Sequence, residues 1–181
     1  MHQINNAIIK ASIAGSESAK MQLYDRYCNA MYTIACRYLN EEDAKDAMQD
    51  GFIKAFSKLE TYSSDYSFGA WLKRIIINQC LDFLRQRKIE TIVYTETDLE
   101  IVDEDNWQFD TSITKEKILK AVSKLKAQYK LIITLYLIEG FDHEEISQIL
   151  EIPIKTSRTQ LRRARLALQN DLKDYYNEAR Y

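Results

Sequence analysis

Glu139–Leu168 reads EGFDHEEISQILEIPIKTSRTQLRRARLAL, and the punctuation within it decides the fold. Gly140 suits the left-handed residue that often closes a helix. Asp142 then serves as an N-cap, Glu145 stands three residues later as its capping-box partner, and Phe141 is placed to staple against Ile146. The helix so started is short and ends near Leu150. After Glu151 and Ile152, Pro153 suits the first position of a new helix, where its missing N–H is not needed.

Unrolled at about 100° per residue, that last helix has two different faces. Ile154, Ser157, Leu161, Ala164 and Leu168 fall on one side; Lys155, Arg158, Thr159, Arg162 and Arg163 gather on the other, with Arg165 at the margin. Five basic residues and no acidic one lie between Lys155 and Arg165, which suits an anionic surface, and a helix of this width fits the DNA major groove. A charge run alone reads as a solvated face. The short preceding helix, the tight turn and the inward apolar stripe point instead to a helix-turn-helix.

Four glycines and one proline in 181 residues favour long uninterrupted helices, and 46% hydrophobic content supports real cores. No apolar run approaches the roughly 18 residues that would span a bilayer, and MHQINNAIIKAS lacks the charged-then-apolar order of a signal peptide, so a cytoplasmic protein with no membrane insertion is expected. Cys28, Cys36 and Cys80 have no metal-like spacing, and with only His2 and His143 beside them a metal site is not expected. They are read as buried thiols in a reducing compartment.

The net charge of −2 is unevenly distributed. Residues 1–88 carry 12 basic and 10 acidic side chains, 89–114 carry 0 and 8, and 115–181 carry 13 and 9. The acidity belongs to the middle segment, and both flanks are positive.

Taken in order, residues 4–14 read as a short helix broken at Gly15-Ser16. An amphipathic helix from Glu17 to Leu39 carries Leu23, Tyr27, Ala30, Met31, Ile34, Ala35 and Tyr38 as a core stripe. Asn40 offers an N-cap for Glu41–Leu59, where Ala44, Ala47, Met48, Phe52, Ala55, Phe56 and Leu59 line the buried side. The other side presents Asp43, Asp46, Gln49, Asp50, Ile53 and Lys54: either ordinary solvation, or carboxylates beside an apolar group meeting a basic helical partner.

The polar loop ETYSSDYS at 60–67 leads into a helix from Phe68 to Lys88, with Trp71, Leu72, Ile75, Ile76, Cys80, Phe83 and Leu84 at packing positions. Tyr62, Tyr66 and Phe68 beside Arg74 and Asn78 could stack unpaired bases and bond their edges, or the aromatics could simply cap the core. Residues 89–114 lose helical periodicity and read as an extended acidic linker, either a tether or a nucleic-acid mimic for a basic channel. Helices near Lys115–Leu125 and Ala127–Glu139 follow, the second supplying Tyr129, Ile132, Ile133, Leu135, Tyr136 and Ile138 to a second core.

Four stretches in this order, LYDRYCNAMYTIACRYL, DAKDAMQDGFIKAFSKL, FGAWLKRIIINQCLDFLRQRK and the helix-turn-helix, make residues 19–173 resemble the bacterial sigma factors of the extracytoplasmic-function type. The resemblance implies an all-α fold of two small helical domains: a region 2 bundle at 1–88, the acidic linker at 89–114, and a region 4 helix-turn-helix at 115–181. It implies binding to core RNA polymerase, at the β′ coiled coil and the β flap, and to promoter DNA, with no cofactor and no covalent chemistry. An anti-sigma factor is a further partner of such proteins.

By the same resemblance Asp46, Gln49, Asp50, Phe52 and Lys54 match the polymerase-docking helix. Tyr62, Tyr66, Phe68, Trp71, Arg74 and Asn78 match the element that captures the −10 region as single strand. Lys155, Arg158, Thr159, Arg162, Arg163 and Arg165 match the surface that reads the −35 element, with Gln160 and Arg162 at positions that set specificity. Glu151 departs from the pattern where glycine is frequent, and Lys126 where many relatives have proline. The rival reading is a stand-alone helix-turn-helix regulator, which would bind duplex DNA without polymerase, usually as a dimer on a two-fold site; nothing in the sequence looks like a dimerisation heptad.

Overall fold

The computed structural model describes residues 2–63, 67–86 and 114–178. Among them every regular element is helical: α1 (His2–Ile13), α2 (Glu17–Ala35), α3 (Glu41–Ser57), α4 (Phe68–Gln86), α5 (Lys115–Lys124), α6 (Ala127–Ile133), α7 (His143–Leu150) and α8 (Ile154–Glu178), with a 3-10 turn at Leu59–Thr61 and a π turn at Thr134–Ile138. The chain divides into two compact units, Met1–Thr91 and Ile92–Tyr181. Tyr66, Arg87, Lys88 and residues 89–113 of the acidic linker lie outside the described residues.

In the first unit α3 packs most extensively on α4, α2 packs on both, and α1 packs on α2. Asn40 caps α3 as expected, its Oδ1 accepting the Asp43 N–H at 3.0 Å, and Ser16 caps α2 through Ala19 N–H at 3.3 Å. Leu23, Leu72, Ile76, Ile77 and Cys80 have no exposed surface. Gly51 leaves room on α3 for the buried Ile76 side chain of α4, whose Cδ1 a Cβ at position 51 would displace. Ala30, expected on the α2 stripe, is exposed, since its methyl is small and no neighbouring helix covers that side. The cysteine reading holds for Cys80 alone, whose thiol burial pushes up to about 12; Cys28 is half-buried and Cys36, at the α2 C-cap, is exposed.

The second unit is built on α8, against which α5, α6 and α7 all pack. The expected straight helix 127–139 is instead α6 followed by the π turn, closed by Glu139 N–H to Thr134 O at 2.9 Å. A π turn widens the helix by one residue and resets its phase. Leu135 therefore reaches the core, whereas Leu137 and Ile138 are 42% and 40% exposed, so Ile138 does not belong to the core stripe.

Both caps of the helix-turn-helix form. Asp142 Oδ1 accepts the Glu145 N–H at 2.8 Å and Glu145 Oε2 accepts the Asp142 N–H at 3.1 Å, while Phe141 and Ile146 are both buried. Gly140 has the left-handed φ of 78°. So does Glu151, at φ 56° and ψ 43°, the backbone that makes glycine frequent at this turn position. A side chain there costs on the order of 1–2 kcal/mol, against roughly 0.4–1 kcal/mol of extra unfolded-state entropy for glycine. Glu151→Gly is therefore expected to stabilise the second unit by about 0.5–1 kcal/mol, read as a rise of a few degrees in its thermal unfolding midpoint.

Candidate nucleic-acid interface

On α8 the buried stripe consists of Ser157, Leu161, Ala164, Leu168 and Leu172, none more than 3% exposed. Steps of three and four residues place Lys155, Arg158 and Arg162 opposite it, all exposed, with Thr159 and Arg163 half-exposed beside them. Ile154, expected on this stripe, lies at the first turn of α8 and is 39% exposed.

Two other positions differ from expectation. Gln160 is 1% exposed, so it cannot reach base edges; its Oε1 has no hydrogen-bond partner among the described residues. Arg165 is half-buried, with its guanidinium carbon 5.6 Å from the Tyr136 ring centroid. This cation–π contact directs Arg165 to the π turn rather than to the exposed face.

Helix α8 is fixed to its neighbours by contacts built on His143. His143 Nδ1 lies 2.9 Å from Ser157 Oγ, and its ring stacks on Tyr136 at 4.8 Å with a 32° tilt. Ser147 Oγ also donates to the Ile152 carbonyl at 2.6 Å, tying the turn to α7. Burial and the nearby positive charges of Arg158 and Arg165 lower the His143 pKa from its ordinary 6.5, opposed by Asp142.

Because the folded chain holds this imidazole neutral more strongly than the unfolded chain does, the unfolded state binds more protons as pH falls. The His143 contribution is thus present above about pH 6.5 and is lost as pH falls through the lower folded value. Between pH 7.5 and 5.5 the unfolding midpoint is expected to drop further in the wild type than in His143→Gln, as followed by thermal melts at each pH; equal drops would contradict the assignment.

In the first unit, Tyr62, Phe68 and Trp71 form a cluster with ring centroids 5.5 Å apart in each pair. Tyr27 of α2 lies behind it, 5.2 Å from Phe68. Phe68 is only 3% exposed, so it anchors the cluster and is not a stacking surface; Tyr62 and Trp71 are half-exposed. Burial, and then Tyr27, raise the Tyr62 pKa. Along α4, Trp71, Arg74 and Asn78 follow at steps of three and four and share a half-exposed face.

On α3, Asp46, Gln49, Asp50 and Ile53 form one exposed face by the same spacing, with Ile53 at 68% exposure. Phe52 is 2% exposed and packs on Tyr24 at 4.8 Å, so it braces that face from within. Asp43 is buried at 6%, held by Asn40 Nδ2 at 2.8 Å. Lys54 Nζ lies 3.7 Å from Asp82 on α4, which draws its charge toward the helix pair. No cluster of potential metal ligands occurs among the described residues.

The model of sigma-70 region 2 matches residues 23–89, and that of sigma-70 region 4 matches residues 115–168. The chain belongs to the sigma-70 family. It is 27% identical over 179 residues to the extracytoplasmic-function RNA polymerase sigma-E factor of Haemophilus influenzae, covering 93% of this chain and 95% of that one. Sigma factor SigW of Bacillus subtilis is 27% identical over 182 residues, covering 92% and 95%. These relatives make the chain an extracytoplasmic-function type sigma factor. Among solved structures, the sigma factor RpoE of Bartonella quintana, crystallised with the anti-sigma factor NepR, superposes with a TM-score of 0.55 at 25% identity, covering 84% of this sigma factor and 96% of that chain. No described helix is long and apolar enough to cross a membrane.

Proposed function

We propose that this sigma factor is a dissociable promoter-specificity subunit that binds core RNA polymerase, reads a −35 element as duplex and captures a −10 element as melted single strand. What supports the reading is the presence in one chain of two unlike surfaces, each suited to a different form of nucleic acid. The exposed basic face of Lys155, Arg158 and Arg162 suits phosphates and base edges in a major groove. The half-exposed Tyr62 and Trp71 beside Arg74 and Asn78 suit unstacked bases. A flipped base loses a few kcal/mol of stacking, and a site that holds it favours the open duplex.

In this reading α3 docks on polymerase through Asp46, Gln49, Asp50 and Ile53, and region 4 is a second polymerase contact at the β flap. The eight carboxylates of residues 89–114 suit a basic channel made for nucleic acid. The relative crystallised with an anti-sigma factor supports a similar inhibitor for this chain. The protein performs no covalent chemistry of its own.

The test is DNA binding with and without polymerase. Duplex promoter fragments should bind weakly to the free protein and gain about a hundredfold or more in affinity with the holoenzyme. Tight polymerase-free binding to a two-fold symmetric site would instead establish a stand-alone regulator.

A further inference from the structure

Helix α1 precedes the region 2 match, which starts at residue 23, yet it is packed into the unit. Ile9 and Ser12 are 4% and 2% exposed, and Ser12 Oγ donates to the Ile8 carbonyl at 2.9 Å, which satisfies the hydroxyl within the helix. The principal packing partners of α1 are α2 and the 3-10 turn Leu59–Thr61.

That turn is the foundation of the aromatic cluster. Leu59 is 2% exposed, Thr61 Oγ1 donates to the Lys58 carbonyl at 2.7 Å, and the Tyr62 N–H donates to the Leu59 carbonyl at 3.2 Å. The Tyr62 ring then meets Phe68 edge-on at 81° and Trp71 at 61°. A continuous path of contacts therefore runs from α1 through the turn to Tyr62 and Trp71. Closely packed elements of this kind transmit a small shift rather than absorb it.

We infer that α1 is a positioning element for melted-strand capture, with Ile9 setting the place of the turn that carries Tyr62. The inference rests on the reading of Tyr62 and Trp71 as the strand-capturing surface. It adds that their geometry is controlled by a helix outside the family match. Helix α1 touches no nucleic acid in this account. Its effect is expected to be specific, because its principal packing partners are α2 and the turn, whereas Asp46, Gln49, Asp50 and Ile53 of α3 are exposed.

The experiment uses the full-length protein carrying Trp107→Phe, which leaves Trp71 as the sole tryptophan. Ile9→Ala, the milder Ile9→Val and Tyr62→Ala are compared in three measurements: acrylamide quenching of Trp71 in the free protein, affinity for core polymerase, and holoenzyme affinity for a fork template already melted at −10. Ile9→Ala should increase quenching and weaken fork binding by roughly three- to tenfold at unchanged core affinity, with Ile9→Val in between.

If Tyr62→Ala weakens fork binding while the Ile9 variants change nothing, the positioning role is overturned and the capture reading stands. If the Ile9 variants alter quenching but neither they nor Tyr62→Ala affect fork binding, the capture reading fails and takes the inference with it. A parallel fall in core affinity would overturn the inference by showing a general structural role. Should Ile9→Ala fail to fold, Ile9→Val decides by the same criteria.

Discussion

Ile53→Asp is expected to weaken binding to core RNA polymerase by about a hundredfold or more, a loss of roughly 2–4 kcal/mol typical of a central interface anchor. Ile53 is 68% exposed on α3, and Asp46, Gln49 and Asp50 stand around it on the same face. An apolar side chain left this open by the fold, ringed by polar groups, is suited to be desolvated by a partner. A carboxylate in its place would lose the apolar contact and be desolvated where an apolar side chain fits, and the neighbouring carboxylates would add repulsion. Because the residue is so exposed in the free protein, folding stability should change by no more than about 0.5 kcal/mol. Titration of fluorescently labelled protein with core polymerase, beside a thermal melt, measures both. Unchanged core affinity would remove α3 from the docking surface.

Trp71→Ala is expected to lower open-complex formation by roughly ten- to a hundredfold, corresponding to about 1–3 kcal/mol for one stacked base. The defect should persist on templates melted in advance, because the lost interaction is with the strand and not with the act of melting. The half-buried ring also contributes to the cluster with Tyr62 and Phe68, so Trp71→Ala will cost some stability. Trp71→Phe separates the two effects, since it keeps an aromatic face and should restore most of the activity. Rescue of Trp71→Ala by prior melting would show that the ring drives strand separation without holding a base.

Much of this was legible in the residues alone because the relevant forces are local. The Asn40 and Asp142 caps and the α8 stripe each depend on spacing within one helix, and they formed where spacing placed them, apart from Ile154 at the start of the stripe. What was illegible depends on packing between elements. Phe68 reads equally well as a base-stacking ring or a core cap, and its contacts with Tyr27, Tyr62 and Trp71 place it in the core. The π turn at 134–138 leaves no compositional trace and moved Ile138 out of the core.

The candidate interface was only partly readable in the sequence. Gln160 stands at a specificity position by resemblance, yet a period of about 100° per residue puts it next to Ala164 at the edge of the buried stripe, and it is buried to 1%. His143 drew notice only as an unsuitable zinc ligand, whereas it bonds to Ser157 at 2.9 Å and stacks on Tyr136. One signal was available: a serine on an otherwise apolar stripe has to find a hydrogen-bond partner when buried. Glu151 departs from glycine at this turn, and its left-handed backbone supplies the reason glycine is preferred there.

The most direct test of the central claim is run-off transcription by purified core polymerase on genomic promoter fragments, with and without this protein. The account predicts that core polymerase alone initiates weakly and without preference, and that adding the protein yields defined start sites sharing two upstream elements. Loss of either element should abolish those transcripts. No stimulation of initiation at any fragment, with the protein still bound to core polymerase, would contradict it.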